Sequence, residues 1–388
     1  MERLAPRPNA GPAHRVTHAV SSSGGVFHKS GELRLRVVVY PPTMEFRQHV
    51  SLAPFTTFEI GGPARWFAEA TTESDIEAAV AFATEHELRL FVLGGGSNVL
   101  VSDAGFDGLV LHIALRGIER NGAILSAAAG EDWDGLVSTS VAANLAGIEC
   151  LSGIPGTVGG TPVQNVGAYG QEVSRTIRTV RAFDCAMRRW VDLDNAECGF
   201  AYRRSRFNQG PDRDRFIVSR VTYGLEQNVP ASVTYADLKY YFKNHNVADP
   251  CLQQVREAVL SIRLGKGMVV TPDHPERRSA GSFFKNPVIS ASRLPDIAAA
   301  AKLPEAEVPR YPAGPGEVKL PAAWLLERAG FVKGYRQGAA AVSTRHTLAL
   351  TNQGGATAAE IAALRDTIQT RVRKLFGISL EPEPVWVA

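Results

Sequence analysis

A glycine-rich stretch at residues 147–170 carries the residue types that most directly suggest chemistry in this chain. Glycine occurs there seven times and proline twice, which excludes an ordinary helix or a central strand. Glycine tolerates positive φ angles and lets a backbone approach another group closely. Between the glycines stand hydroxyl and amide side chains that can hydrogen-bond a phosphate or a polar ring: Ser152, Thr157, Thr161, Gln164 and Asn165.

A second loop of the same kind, Gly94-Gly95-Gly96-Ser97-Asn98, follows an apolar run at residues 88–93. We expect that run to be a buried strand, preceded by a helix that begins at Thr72 with Asp75 as its capping-box partner. A loop after such a strand presents backbone N–H groups to a ligand in α/β folds. Together the two loops predict a large ligand that bears phosphate and a flat ring. The alternative is that both loops are purely structural.

Other catalytic and nucleotide-binding motifs fail at single positions. The first loop is not a dinucleotide-binding G-x-G-x-x-G, because Val99 stands where the last glycine is needed. Lys266 lacks the glycine spacing and the hydroxyl residue of a P-loop, and neither Ser97 nor Ser282 lies in a G-x-S-x-G nucleophile elbow. The nine histidines form no H-E-x-x-H, so we expect no metal site.

Composition points to an ordinary globular protein of two or three domains within 388 residues. Its 42 basic and 39 acidic residues give a net charge of +3, which does not favour nucleic acid as a partner. The cysteines are far apart and read as reduced thiols, and no apolar run is long enough to span a membrane. These features predict a cytoplasmic protein. The cysteines are Cys150, Cys185, Cys198 and Cys251.

Short strands alternate with few helices, which favours an α+β fold over a doubly wound sheet. Residues 1–43 show no sustained period and are predicted to be disordered, so Met44 is an alternative to Met1 as the first residue of the native chain. We expect a short strand from Phe55 and a helix opened by Asp249-Pro250. The last long helix should start at Thr357 and stop at Gly377, before a final strand at residues 378–387.

Five stretches, in the same order, resemble the UDP-N-acetylenolpyruvoylglucosamine reductase family of flavoenzymes. They are L-G-G-G-S-N-V-L at 93–100, G-I-P-G-T-V-G-G-T-P-V-Q-N-V-G-A-Y-G at 153–170, Y-R-R-S at 202–205, A-G-S-F-F-K-N-P at 280–287 and L-E-P-E at 380–383. The resemblance implies a two-subdomain FAD-binding unit of the p-cresol-methylhydroxylase (PCMH) type plus a C-terminal α+β substrate-binding domain. It implies flavin subdomains at 51–116 and 117–265 (with 378–388) and a substrate domain at 266–377, after an N-terminal extension at 1–50 that composition predicts to be disordered.

The resemblance also implies the cofactors. FAD would be held without a covalent bond, because Ser97 and Asn98 stand where covalently flavinylated relatives often carry His or Cys. NADPH would be the co-substrate. The residues expected to hold FAD are Gly94, Gly95, Gly96, Ser97, Asn98, Ile154, Pro155, Gly156, Thr157, Gly160, Thr161, Asn165, Gly167, Ala168, Tyr169 and Arg263.

The family reaction adds hydride to the β-carbon of an enolpyruvyl ether, which places negative charge on the α-carbon and its carboxylate. Arg203 is expected to bind that carboxylate through paired hydrogen bonds. Ser282 would protonate the α-carbon, and a neutral Glu383 would stabilise the enolate, with Glu381 as its rival two residues away.

The resemblance places the uridine diphosphate of the substrate against Tyr235, Lys266 and Asn286. The long interval between Arg203 and Ser282 resembles the subclass that folds a tyrosine-bearing loop over its substrate. We expect a monomer or weak oligomer. Two other functions stay open at this point: an oxidase of the same fold that uses oxygen, and a flavin- or nucleotide-binding protein without catalysis.

Overall fold

The structure is a computed structural model that describes residues 44–271, 274 and 276–388, so the extension predicted at 1–43 lies outside the described residues. Several sheets flanked by helices confirm the α+β class. The helices run over Glu73–Glu85, Trp133–Ala142, Ala236–Asn244, Leu252–Gly265, Leu294–Ala301, Ala322–Arg328 and Ala358–Phe376.

The first sheet carries the first glycine loop. Its strands lie in the order Arg47–Ser51, Pro63–Ala70, Phe106–Ile113 and Arg89–Leu93, with the first pair antiparallel and the others parallel. Helix Glu73–Glu85 crosses between parallel strands and starts with the predicted capping box of Thr72 and Asp75. Residues 47–50, which were predicted to belong to a disordered extension, instead pair with strand Pro63–Ala70, and no pattern in their own sequence indicates this pairing.

The short strand predicted from Phe55 is wrong. Residues Ala53–Phe55 form a 3-10 turn, and the chain returns to the sheet only at Pro63. The hydroxyl of Thr56 donates to the carbonyl of Ile60 at 2.9 Å and accepts from its N–H at 3.3 Å. Such a local side-chain bond offers the backbone an alternative to a strand ladder.

The second sheet is antiparallel and carries the second glycine loop at one end. Its strands lie in the order Arg189–Asp194, Ile177–Asp184, Phe216–Gly224, Ile124–Ala128 and Ile118–Asn121. One buried cluster joins it to the first sheet. Leu109 of the first sheet and Ile76 of its crossover helix pack in the same core as Leu125 and Val221 of the second sheet and Trp133 of helix Trp133–Ala142. The two subdomains therefore share a core, which fixes the glycine loops relative to each other.

The third unit wraps two small sheets around the last long helix. One sheet orders Ser279–Ser282, Ala349–Asn352, Ala340–Val342 and Arg336–Gln337, and the other Val288–Ser290, Glu317–Lys319 and Tyr311–Gly314. Helix Ala358–Phe376 begins with the predicted capping box and ends at Gly377, whose φ is +61°. The Asp103 carboxylate of the first subdomain accepts from the N–H groups of Ala358 and Ala359 at 2.7 and 3.0 Å, which caps this helix from outside its own domain.

Two other boundaries differ from the sequence-based expectation. The final strand is only Val385–Val387, and it pairs in parallel with Val99–Val101. Residues 378–388 were predicted to belong to the second subdomain. The pairing instead joins Val385–Val387 to a strand of the first subdomain. A V-W-V run indicates a strand but does not indicate its partner. The helix predicted from Asp249-Pro250 begins at Leu252, because Cys251 and Gln254 form its capping box. Helix Ala236–Asn244 was not predicted.

A buried carboxylate at the end of a strand of the second sheet provides a stability test. The carboxylate of Asp184 accepts from the Arg215 guanidinium at 2.9 and 2.6 Å and from the N–H groups of Ala186 and Met187 at 3.0 Å. The hydrogen bonds from Arg215 come first among the causes that lower the pKa of Asp184 to about 2. Because its pKa is lower in the folded protein than in the unfolded chain, the ionised carboxylate stabilises the fold at pH values above the unfolded pKa. This stabilisation disappears as the pH falls from about 4 towards 2.

We therefore expect Asp184→Asn to lower the free energy of unfolding at pH 7 by about 2 kcal/mol, measured by urea titration. The difference from wild type should shrink as the pH is lowered below about 4. The matched control is Asp107→Asn, whose ion pair with Arg65 is exposed, and we expect it to change stability by about 0.5 kcal/mol or less. Equal losses in the two variants would contradict this assignment.

Candidate active site

The two glycine loops predicted to hold one ligand lie directly against each other. A Cβ atom on Gly95 would lie 2.7 Å from the Cα of Gly156, which is closer than side chains approach backbone. Gly156 itself has a φ of +123°. The hydroxyl of Ser97 donates to the carbonyl of Pro155 at 2.9 Å and ties the loops together. The sequence-based expectation that these loops act as one unit agrees with this contact.

Asn98 links the first loop to the second loop and to the end of the chain. Its side-chain amide donates to Gln164 Oε1 at 2.9 Å and to the carbonyl of Glu383 at 3.2 Å. Its own carbonyl accepts from the N–H of Val385 at 2.9 Å. The parallel pairing of Val99–Val101 with Val385–Val387 continues this contact. Hydrogen bonds to Asn98 therefore hold the backbone on both sides of Glu383 against the first glycine loop.

Two of the predicted cofactor-binding residues use their side chains inside the protein. Thr161 is buried, and its hydroxyl lies 2.7 Å from the Tyr223 hydroxyl. Asn165 is buried with a φ of +45°, and its amide donates to Glu172 at 3.0 Å and to the Ala201 carbonyl at 3.1 Å. Their polar side-chain atoms therefore shape the loop. By contrast, a Cβ on Gly160 would meet no protein atom within 4 Å, which leaves space beside the backbone there.

Filling the contact between the loops should weaken flavin binding. Gly95→Ala would push the backbone at Gly156 away, because neither partner is a side chain that can rotate aside. We expect FAD affinity to fall roughly tenfold or more, measured by titrating the apoprotein with FAD and following flavin fluorescence. The control is Gly265→Ala at the end of helix Leu252–Gly265, where an added Cβ meets no protein atom. Unchanged affinity in Gly95→Ala would contradict the role of this contact.

Arg203 lies in a strained turn beside the second loop. Ala201 and Arg204 exchange backbone hydrogen bonds of 2.9 and 3.0 Å around it, and its φ is +55°. The Nη2 atom donates to the carbonyl of Gly167 at 3.0 Å. The Nε atom lies 2.9 Å from Glu383 Oε1, but it is buried and has no hydrogen-bond partner of acceptable direction among the described residues. A buried guanidinium with an unused N–H is suited to receive an added carboxylate.

Glu383 and its rival Glu381 differ sharply in environment. The Glu383 side chain is 12% exposed, whereas that of Glu381 is 58% exposed and forms a 2.6 Å ion pair with Lys285. Burial raises the pKa of Glu383 above its usual value, although the charges of Arg203 and Lys285 oppose the rise. The geometry therefore favours Glu383 as the carboxyl that can stay protonated.

Ser282 ends a strand that bulges just before it. The pairing of Ser279–Ser282 with Ala349–Asn352 shifts register inside the strand, and Gly281 there has a φ of +69°. A Cβ on Gly281 would meet no protein atom, so glycine is needed for the backbone angle and not for space. The next carbonyl, that of Phe283, accepts from the N–H of Glu383 at 2.8 Å. Ser282 and Glu383 therefore lie on adjacent, hydrogen-bonded segments.

Two of the three residues expected at the diphosphate, Tyr235 and Lys266, lie beside Tyr169 of the second loop. Lys266 Nζ is 2.6 Å from Asp237 Oδ2 and 5.7 Å from the centre of the Tyr169 ring. Tyr235 meets the same Tyr169 ring edge-on, with the ring centres 5.4 Å apart. Tyr169, Tyr235 and Lys266 are thus brought together. The half-exposed Tyr235 leaves one aromatic face of this group open.

The other two assigned side chains are engaged in bracing the fold. Arg263 is buried and donates to the carbonyls of Gly153 at 3.2 Å and Met268 at 2.8 Å, which supports the second glycine loop from behind. Asn286 Oδ1 accepts from the N–H of Ala322 at 2.8 Å and so satisfies the start of helix Ala322–Arg328. These contacts occupy part of the hydrogen-bonding capacity that the sequence-based assignment reserved for ligand.

Sequence reasoning missed two neighbours of this site. Lys319 Nζ lies 4.6 Å from the centre of the Tyr202 ring, next to Arg203. His346 is mostly buried, and desolvation followed by the charges of Lys266 and Lys333 lowers its pKa to about 4. Neither position has a local sequence signal, because both are brought to the site by strands and loops of the third unit.

Within the part of the chain that the structure describes, no three His, Cys, Asp or Glu side chains are grouped as metal ligands. No helix in the same part of the chain has the length and apolar character to cross a membrane.

Comparison with known families matches both halves of the chain. The model "UDP-N-acetylenolpyruvoylglucosamine reductase, C-terminal domain" matches residues 273–387, and the model "FAD binding domain" matches residues 64–189.

Individual relatives match over nearly the whole chain. The UDP-N-acetylenolpyruvoylglucosamine reductase of Streptomyces coelicolor is 47% identical over 341 residues, covering 87% of this chain and 88% of its own. That of Thermobifida fusca is 44% identical over 354 residues, covering 89% and 99%. The crystal structure of the reductase of Thermus caldophilus superposes with a TM-score of 0.61 at 26% identity, over 89% of this chain and 99% of that one.

Proposed function

Because the chain belongs to the UDP-N-acetylenolpyruvoylglucosamine reductase family, we propose that it reduces UDP-N-acetylenolpyruvoylglucosamine to UDP-N-acetylmuramate, with FAD as cofactor and NADPH as reductant. The observation that carries this proposal is the buried pair of Arg203 and Glu383 at the junction of the two glycine loops, with Ser282 on the adjoining segment. Such a cation, carboxyl and hydroxyl are the groups that reduction of an enolpyruvyl acid needs.

The residues present fit an FAD molecule. The contact of Gly95 with Gly156 leaves two backbones free of side chains at the point where the loops meet, and Gly160 borders open space. Bare backbone N–H groups of this kind bind phosphate groups. FAD, when bound, supplies hydride that it has taken from NADPH. Ser97 and Asn98, whose side chains already tie the loops together, would hold the loops in place around it.

The substrate carboxylate would bind to Arg203. Its Nη2 atom is held by the Gly167 carbonyl, so the guanidinium is oriented before substrate arrives, while the buried Nε–H lacks a hydrogen-bond partner among the described residues. A carboxylate there would gain a charge-assisted hydrogen bond and would neutralise a cation that the neutral form of Glu383 leaves uncompensated. The α-carbon of the substrate would then lie near the Glu383 carboxyl.

Two groups would handle the charge that develops when hydride reaches the β-carbon. Burial raises the pKa of Glu383 and so favours its neutral form, which would donate a hydrogen bond to the enolate oxygen. The hydroxyl of Ser282 would give its proton to the α-carbon, and the bulge at Gly281 aims that segment away from the regular strand. The product is the lactyl ether, with one hydrogen added at each carbon.

The diphosphate of the nucleotide would extend towards Lys266 and Tyr235. Lys266 is only about one-third exposed, and its Nζ is already paired with Asp237 at 2.6 Å. A diphosphate would therefore have to share or displace that partner. The half-exposed ring of Tyr235 offers a surface for the nucleotide beside it.

A product analysis tests the proposal. The purified protein is incubated with NADPH and the enolpyruvyl nucleotide, and the nucleotide is examined by mass spectrometry. We expect the mass to rise by two hydrogens, and in deuterium oxide the hydrogen at the α-carbon should be deuterium. UDP-N-acetylglucosamine, which lacks the enolpyruvyl group, is the control and should stay unchanged. Oxygen consumption without a reduced nucleotide would instead indicate an oxidase of the same fold.

A further inference from the structure

A lysine of the third unit approaches the site without a charged partner. Lys319 ends the strand Glu317–Lys319, is half-buried, and has its Nζ 4.6 Å from the centre of the Tyr202 ring. Within the described ranges of the chain, no carboxylate lies within ion-pair distance of it. An ammonium group held over an aromatic face is attracted by the negative charge density of the ring.

Tyr202 is held from several directions at once. The guanidinium carbon of Arg203 lies 5.4 Å from the centre of its ring, so one ring attracts both cations. The backbone N–H of Asn286 acts on its hydroxyl and opposes the rise in the Tyr202 pKa that burial causes. Both Lys319 and Asn286 belong to the third unit, whereas Tyr202 belongs to the second subdomain. The ring therefore connects the substrate domain to the turn that carries Arg203.

The orientation of Arg203 depends on such outside contacts. Its backbone has a φ of +55°, which a side-chain-bearing residue adopts only when its surroundings enforce it. Its Nε atom lies 2.9 Å from Glu383 Oε1 without a well-directed hydrogen bond, so the Nη2 bond to the carbonyl of Gly167 is the one hydrogen bond of the guanidinium among the described residues. The Tyr202 ring is a further contact of the guanidinium, and it is one that Lys319 of the third unit approaches from its own side.

We propose that Lys319 is a positioning residue for the carboxylate-binding arginine: its ammonium group holds the Tyr202 ring, and the ring holds the Arg203 guanidinium. This inference rests on the proposed function, since it assumes that Arg203 receives the substrate carboxylate. It assigns to a residue of the third unit a role in binding the acidic end of the substrate. Lys319 acts through Tyr202 and not by touching the substrate.

The test uses the full-length holoenzyme and variants of both partners. Lys319→Met keeps the aliphatic stem and removes the charge, so we expect the KM for the enolpyruvyl nucleotide to rise roughly tenfold. The rate at which NADPH reduces the flavin should not change. Lys319→Arg, which can still bind the ring face, should restore most of the affinity. Lys374→Met, at an exposed lysine of the last helix, is the matched control and should behave as wild type.

A double-mutant cycle separates action through Tyr202 from other effects. Tyr202→Leu removes the ring, and we expect Lys319→Met to add no further rise in KM in that background. The same added factor in both backgrounds, or a Lys319→Met enzyme with wild-type KM, would overturn the inference. If the leucine variant does not fold, Tyr202→Phe takes its place. Because the ring is kept there, Lys319→Met should still raise the KM in that background, and an unchanged KM would overturn the inference. A wild-type enzyme that fails to reduce the nucleotide would instead refute the proposed function.

Discussion

Replacing Ser282 with alanine is expected to slow formation of the reduced nucleotide by roughly 100- to 10,000-fold while flavin reduction by NADPH proceeds at the wild-type rate. The hydroxyl would supply the proton only in the second half of the reaction, so removing it should leave the first half intact. Rapid-mixing absorbance measurements follow the two halves separately, because bleaching and recovery of the flavin band report each one.

The position of Ser282 explains why the loss should be specific. The serine follows the bulge at Gly281, and the neighbouring Phe283 carbonyl binds the N–H of Glu383 at 2.8 Å. These contacts are made by backbone, so alanine should preserve them. Ser292→Ala, at an exposed serine of the same unit whose hydroxyl only meets Ser290, is the control and should retain full activity. Equal loss of both half-reactions in Ser282→Ala would argue against a proton-donating role.

The second large effect is expected from Glu383→Gln, which should lower turnover roughly 100-fold or more. An amide can donate a hydrogen bond but cannot shed a proton to stabilise the enolate as a carboxylic acid does. The substitution also leaves Arg203 without its only described ion-pair partner, at 2.9 Å. We therefore expect the KM for the nucleotide to change as well, and steady-state kinetics measures both constants.

The pH dependence separates Glu383 from other groups. Burial raises the pKa of this carboxyl, and the neutral acid exists below that pKa and is lost as the pH rises through it. Wild-type turnover should therefore fall on the alkaline side of that pKa, and Glu383→Gln should lack this fall. Glu381→Gln, at the exposed carboxyl paired with Lys285, is the control. A Glu383→Gln enzyme with the wild-type pH profile would show that another group titrates.

Local signals in the sequence predicted the parts of the site that depend on local structure. The capping boxes at Thr72 and Thr357 have the predicted bonds, because each involves residues three apart. The two glycine loops could likewise be predicted from composition, because the backbones of Gly95 and Gly156 approach too closely to leave room for a side chain. Fold class and family followed from the order of the motifs and agree with the comparisons.

Contacts between distant segments could not be predicted in the same way. The V-W-V run at Val385–Val387 indicates a strand, but only the folded core selects Val99–Val101 as its partner. Lys319 looks like any surface lysine until a strand of the third unit places it over Tyr202. Similarly, Arg263 turned out to brace a glycine loop through backbone carbonyls, which its position near a helix end does not reveal.

Reoxidation of the reduced flavin by the enolpyruvyl nucleotide tests the central claim most directly. The purified holoenzyme is reduced anaerobically with a stoichiometric amount of NADPH, and the nucleotide is then added while the flavin spectrum is recorded. We predict rapid recovery of the oxidised spectrum, with one nucleotide reduced per flavin. A flavin that stays reduced after the nucleotide is added, and recovers only when oxygen is admitted, would contradict it.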